Sequence, residues 1–178
     1  SYTFSGDLNG DGGTSNDLIY IPRDKSEMNF ETYTASGVTY TAQQQADAWE
    51  AFIAQDEYLS ANRGKYAERG AVFLPLVKRA DFAFSQDLSA LISKQRNTLQ
   101  FRVDILNVGN LLNSDWGVSQ RAVTTTPLVI GSGRPTADSQ GRAVYRLRAI
   151  NNKLISKSFE ATNGFADVYR MQFGFRYL

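Results

Sequence analysis

Asp167-Val-Tyr-Arg-Met-Gln-Phe-Gly-Phe-Arg-Tyr-Leu178 alternates between two chemistries. Tyr169, Met171, Phe173, Phe175 and Tyr177 fall on one face, and Val168, Arg170, Gln172, Gly174 and Arg176 on the other. A period of two is the mark of a β-strand with one apolar face. Tyr169 to Tyr177 spans about 26 Å at roughly 3.3 Å per residue. Tilted by about 40°, such a strand crosses roughly 20 Å, near the ~25 Å apolar band of an outer-membrane barrel. Tyrosines at both ends suit the headgroup level, where ring and hydroxyl favour different solvents. The expectation is that Tyr169, Met171, Phe173, Phe175 and Tyr177 face lipid while Arg170, Gln172 and Arg176 face a polar lumen. An ordinary sandwich strand with a polar outer face carries the same alternation.

Upstream, residues 98–106 repeat the pattern. Leu99, Phe101, Val103 and Ile105 are expected on the lipid side, with Gln100, Arg102 and Asp104 opposite and Arg102 and Asp104 on the lumen side. Asp104 and Arg102 are expected to pair across strands. Residues 79–88 alternate more weakly, with Phe82, Phe84 and Leu88 on one parity and Gln86 breaking it. Residues 107–113 read as a bulge that interrupts one strand over 98–123, and the final strand covers 167–178. Residues 89–97 read as a short turn. Tyr2 to Ser5 reads as the end of another strand.

Two long excursions, 6–78 and 124–166, separate these segments, and connections this long usually carry function or structure of their own. Thr41-Ala-Gln-Gln44 is a capping-box pattern ahead of a helix with Trp49, Phe52 and Ile53 on one face. Packing within the loop is the expectation for Trp49 and Phe52. Asp56 is placed to cap a second short helix ending near Gly64. Residues 143–150 read as a hairpin arm.

Barrels of the bacterial outer membrane have short periplasmic turns and long extracellular loops. Counting back from a last strand that ends in the periplasm puts both long excursions outside and the 89–97 turn inside. Four strands cannot close a barrel, and open edges are not tolerated in lipid. The chain therefore reads as the closing part of a larger barrel, its remaining strands preceding a start that looks like mid-strand.

Composition excludes several alternatives. The 178 residues carry a formal net charge of +1 and no basic run, so no nucleic-acid partner is expected. No apolar segment is long enough for a transmembrane helix. Cysteine and histidine are both absent. Disulfides, histidine-based triads and HExxH zinc sites are thereby excluded. Glu50, Asp56 and Glu57 read as helix-surface acids, no carboxylate pair has a glycosidase setting, and an enzyme is not expected.

One constellation has metal-ligand spacing. Asp7, Asn9 and Asp11, followed by Gly12, match the opening of an EF-hand-type calcium loop. The twelfth position is Leu18, so Asp17 would have to complete a Ca²⁺ site. A hydrogen-bonded turn, in which Asp and Asn cap their own backbone, accounts for the same residues.

Three patches resemble a known family. Gly6-Asp-Leu-Asn-Gly-Asp-Gly12 with Asn16-Asp-Leu-Ile-Tyr-Ile-Pro22 is similar to a segment of the Oar-like TonB-dependent outer-membrane receptors. Leu99-Gln-Phe-Arg-Val-Asp-Ile-Leu-Asn-Val-Gly-Asn-Leu-Leu-Asn113, with Trp116-Gly117 after it, resembles their penultimate-strand motif and the "NLF" element of TonB-dependent transporters. The terminal strand resembles the aromatic signal read by the barrel assembly machinery, departing from it in Leu178. The resemblance implies an all-β protein, a transmembrane antiparallel barrel of the 22-stranded type with an N-terminal plug. It implies energised transport through TonB, contacted by the N-terminal region. It places the protein in the outer membrane of a Gram-negative cell, with lipid, the rest of the barrel and a surface lipoprotein as further partners. The competing expectation is a secreted soluble β-rich binding module with a calcium-stabilised loop.

Overall fold

The period-two stretches fold as strands, and the computed structural model describes them within residues 1–92, 94–130 and 137–178. Strands outnumber helices, and no helix among the described residues is long and apolar enough to cross a membrane. The chain divides into two compact units: Ser1–Leu74 with Ala122–Glu160, and Pro75–Arg121 with Ala161–Leu178.

The second unit is built on three long strands, β1 (Phe82–Ile92), β2 (Gln95–Leu106) and β3 (Arg170–Tyr177). They form an antiparallel sheet with β2 in the centre. The β1–β2 hairpin pairs Phe82 with Ile105 and closes with Ile92 opposite Gln95. The short turn is therefore tighter than the 89–97 expected: Ser89 pairs with Thr98, their hydroxyls 2.9 Å apart, and the strand that was expected to stop at 88 continues. β3 lies along the other side of β2, from Arg170 opposite Leu106 to Tyr177 opposite Leu99. No closed barrel forms among the described strands.

The expected interrupted strand over 98–123 is not present. β2 ends at Leu106, Asn107 turns into the left-handed region at φ 54°, and a short helix α1 (Val108–Leu112) follows. Asparagine tolerates that conformation where bulkier residues do not. The chain leaves the sheet here, so residues 115–123 are not a continuation of β2. The short extended piece Gln120–Ala122 does not join this sheet.

The first unit has a core of its own. The two excursions read as loops fold together with the residues before them, and Tyr2 and Phe4, read as the end of a barrel strand, are buried in that core. Phe4–Ser5 pairs in parallel with Leu128–Val129, which pairs in turn with Arg146–Leu147. Helix α2 (Ala42–Gln55) lays Gln45, Trp49, Phe52 and Ile53 inward, the face its apolar spacing predicts. Trp49 and Phe52 stack at 5.5 Å, both fully buried. Each such side chain contributes about 1.5–3 kcal/mol through burial.

The Thr41/Gln44 capping box forms: Gln44 N–H donates to Thr41 Oγ1 (3.2 Å) and Thr41 N–H to Gln44 Oε1 (2.9 Å). Helix α3 (Glu57–Ala61) starts at Asp56, whose Oδ1 accepts from Leu59 N–H at 2.8 Å. It ends at Asn62, two residues short of Gly64. Buried Gln45 serves as a backbone substitute: its amide nitrogen donates to the Glu31 carbonyl (2.7 Å) and its oxygen accepts from Leu147 N–H (3.0 Å). Residues 143–150 do not make one hairpin arm; Ala149–Ile150 pairs instead with Lys153–Leu154.

Candidate functional site

The register brings the expected apolar positions into rows. Phe82, Ile105 and Met171 align, as do Phe84, Val103 and Phe173, then Gln86, Phe101 and Phe175, then Leu88, Leu99 and Tyr177. Side chains in one row of a sheet share a face. The result is one continuous apolar face three strands wide, interrupted only by Gln86. The Phe101 and Phe175 rings meet at 5.3 Å. Phe173 is 61% exposed and Phe175 74%. Large aromatics in this arrangement are unusual on a surface that meets water. Tyr177 donates to Asn97 Oδ1 at one end of the face. Tyr169, expected in the same row, lies just outside β3, its N–H held by Asn110 Oδ1 at 3.1 Å.

The opposite face carries Gln172 beside Asp104, Gly174 beside Arg102, and Arg176 beside Gln100, with Arg170 opposite Leu106. Arg102 and Asp104 do not pair across strands as expected. They pair along β2, with Arg102 Nε and Nη2 donating to the two carboxylate oxygens at 2.7 and 2.8 Å. Side chains two apart on a strand point the same way, and the forked guanidinium is long enough to reach back. Gly174 lies opposite, where a Cβ would make only an ordinary contact with Arg102 Cβ, at 3.9 Å. Gln100 Nε2 donates across to Asp87 Oδ1 at 2.8 Å.

One end of the sheet is tied by a polar knot that sequence reasoning did not single out. Asp167, 5% exposed, accepts from Thr162 Oγ1 (2.6 Å), Ser119 N–H (2.8 Å), Gly164 N–H (2.9 Å) and Arg79 Nη2 (2.8 Å). The Thr162 hydroxyl and the two backbone donors hold its carboxyl far below the usual carboxylate range. Arg79 Nε also donates to the Gly117 carbonyl at 2.8 Å. Asn107 N–H donates to Asp81 Oδ1 at 2.8 Å, and Val108 N–H to the Ala80 carbonyl at 2.8 Å. The end of β2 and the segments leading into β1 and β3 are therefore bound together at one place. No periodicity marks these residues; only the Asn107 to Gly117 motif hinted at them.

That motif has a steric reason. Gly117 sits at φ 69°, and a Cβ there would lie 2.0 Å from Asn107 Oδ1. Asn107 is 3% exposed, and its amide nitrogen donates to the Gly117 carbonyl at 3.3 Å. Gly117→Ala is expected to destabilise the protein by about 2–4 kcal/mol, combining the left-handed penalty with overpacking. Thermal unfolding of the variant measures it. Adding Asn107→Gly should recover the overpacking part; a G117A variant as stable as wild type would remove this account.

The acidic side chains of the loop are engaged with its own backbone. Asp7 Oδ1 and Oδ2 accept from Gly10 and Gly12 N–H at 2.7 and 2.9 Å. Asp11 Oδ1 accepts from Gly13 N–H at 2.7 Å, and Asn9 Oδ1 from Asp11 N–H at 2.9 Å. The Asn9 amide nitrogen donates to Asp11 Oδ2 at 3.0 Å. Asp17 Oδ2 accepts from Leu8 N–H at 2.6 Å. The hydrogen bond from Gly13 N–H, followed by that from Asn9, lowers the Asp11 carboxyl pKa. As arranged, the Asp7, Asn9, Asp11 and Asp17 side chains hydrogen-bond to the loop backbone. Among the described residues no group of three or more His, Cys, Asp or Glu is placed to hold a metal.

No protein-family model matches the chain, and neither the curated proteins nor the solved structures contain a match.

Proposed function

We propose that this chain supplies closing strands of a TonB-dependent outer-membrane transporter, with its remaining residues forming structure outside the membrane. The observation that carries the reading is the aromatic-rich face of β1–β2–β3, continuous over three strands and exposed. Lipid solvates such a face; water does not. Among the described residues no strand pairs with the outer edges of β1 and β3. In hydrocarbon those backbone groups need partners, which further strands of a larger barrel would supply. The topology fits the same reading. If β3 ends in the periplasm, the tight β1–β2 turn is periplasmic and both long excursions lie outside. Arg102, Asp104, Arg170, Gln172 and Arg176 then line the lumen. The resemblance of the Asn107–Asn113 and terminal segments to receptor motifs adds the transport function, the 22-stranded class and the TonB partner. The role is that of a carrier rather than an enzyme.

The chain has no cysteine, so single cysteines report cleanly. In intact outer membranes, cysteines replacing Val103, Phe173 and Phe175 should resist a water-soluble maleimide and react with a lipid-dissolved one. Those replacing Gln172 and Gly174 should do the reverse. Uniform labelling by the water-soluble reagent, in a protein that needs no detergent, would overturn the membrane reading in favour of the soluble module.

A further inference from the structure

A cleft of about 500 Å³ opens in the unit formed by Ser1–Leu74 and Ala122–Glu160. Its walls include Phe4, Tyr20, Met28, Tyr66 and Tyr145, and among the described residues Asp17 is the only charged one lining it. Tyr20 and Tyr66 meet edge to face at 5.5 Å, and Tyr145 meets Phe4 at 5.7 Å and 84°. The Tyr20 hydroxyl donates to Glu27 Oε2 at 2.9 Å, which pushes electron density into its ring and raises its pKa. Tyr66 and Tyr145 line the same cleft, and burial raises the Tyr145 hydroxyl pKa. Asp17 uses Oδ2 to hold Leu8 N–H, and Oδ1 has no donor among the described residues. Tyr66 is 69% exposed although it is a large ring at the cleft.

Electron-rich ring faces attract cations, and a carboxylate beside them adds a charge of the right sign. A mostly apolar wall with a few polar groups is the usual make-up of a ligand site. Among the described residues no lysine or arginine lines the cleft to oppose a cation or to favour an anion. We propose that this cleft binds an organic cation, an ammonium or guanidinium group carried on an apolar stem. The rings of Tyr20, Tyr66 and Tyr145 receive the charged head, and Asp17 balances it. Phe4 and Met28 pack on the stem. The site is independent of the membrane reading, because all its residues belong to one unit.

Calorimetric titration of the intact protein tests it with choline and with the uncharged isostere in which carbon replaces the quaternary nitrogen. The isostere should bind roughly tenfold more weakly or worse, since shape is kept and only the charge is lost. Tyr66→Leu, at an exposed position, and Asp17→Asn, which keeps an acceptor for Leu8 N–H, should each weaken choline binding several-fold. A blocked arginine amide in a second titration separates the two sources: tighter binding than choline means a side chain of a peptide, weaker binding a free small cation. Equal affinity for choline and its isostere, no binding of either cationic probe, or full affinity in both variants would overturn the proposal.

Discussion

Asp56→Ala is expected to destabilise the protein by about 3–5 kcal/mol. Asp56, 4% exposed, sits at the junction of α2 and α3 and caps α3 through Oδ1. Its Oδ2 accepts from the Tyr2 hydroxyl and from Ser158 Oγ, both at 2.5 Å. Ser158 Oγ in turn accepts from Gln55 Nε2 at 2.8 Å. One carboxylate therefore joins three stretches of chain far apart in sequence. Burial and the Asp56 acceptor push the Tyr2 hydroxyl pKa above its ordinary value, so that hydroxyl stays a donor at any ordinary pH. Alanine removes a helix cap and leaves two buried hydroxyls short of an acceptor. Asp56→Asn should lose less, because Oδ1 persists and both hydroxyls can turn to accept. Denaturant unfolding followed by near-ultraviolet circular dichroism of buried Trp49 gives the number. A loss below about 1 kcal/mol, the worth of the cap alone, would mean the hydroxyl bonds count for nothing.

A second large effect is expected from Phe173→Arg. Phe173 occupies the middle of β3, in the row with Val103 and Phe84. On the membrane reading its side chain lies near the bilayer midplane, where arginine costs about 2–4 kcal/mol. The variant should assemble poorly and lose the heat-sensitive compact band of folded barrels on gels. Gln172→Arg, on the opposite face, should leave that band in place. If the face meets water instead, the exposed Phe173→Arg change stays within about 0.5 kcal/mol. A compact, fully assembled Phe173→Arg protein would therefore count directly against a lipid environment.

These two sites differ in how visible they are in the sequence. The face of Phe173 follows from strict alternation, a local pattern that any window over 170–177 or 99–105 displays. The capping box at Thr41 and Gln44 and the cap at Asp56 are equally local, and both form where the spacing puts them. The junction around Asp56 is different. Its partners Tyr2 and Ser158 lie 54 and 102 residues away, and no local period records such a pairing. The same holds for the core of the first unit, where Phe4, Leu128 and Leu147 meet through strands of only two residues. Segments that short show no alternation, so a folded unit reads as two loops.

Elsewhere the sequence signal was real but ambiguous. Asp and Asn at alternate positions serve a cation or a self-capped turn with the same composition. In this loop the Asp7 and Asp11 carboxylates accept from the backbone N–H groups of Gly10, Gly12 and Gly13. Asn107 shows how a strand end escapes periodicity. The residues beyond it keep a mixed apolar pattern, yet one left-handed backbone angle redirects the chain into α1. The Asp167 knot escaped because its donors are mainly backbone N–H groups and hydroxyls, which composition does not flag.

The bond from Val123 N–H to the Ser158 carbonyl, 2.9 Å long, also bears on the order in which the sheet is completed. The β1–β2 hairpin closes through a short turn, whereas β3 must find β2 across residues 107–169. Loop closure becomes costlier with length, by about 0.6 kcal/mol for each doubling. Once Val123 and Ser158 are held together, the chain between them no longer counts toward the wandering length. The effective tether is then less than half as long, and the last strand searches a correspondingly smaller volume. Wherever the first unit condenses before β3 pairs, the final zippering step is hastened and the long excursion works as a splint rather than a delay.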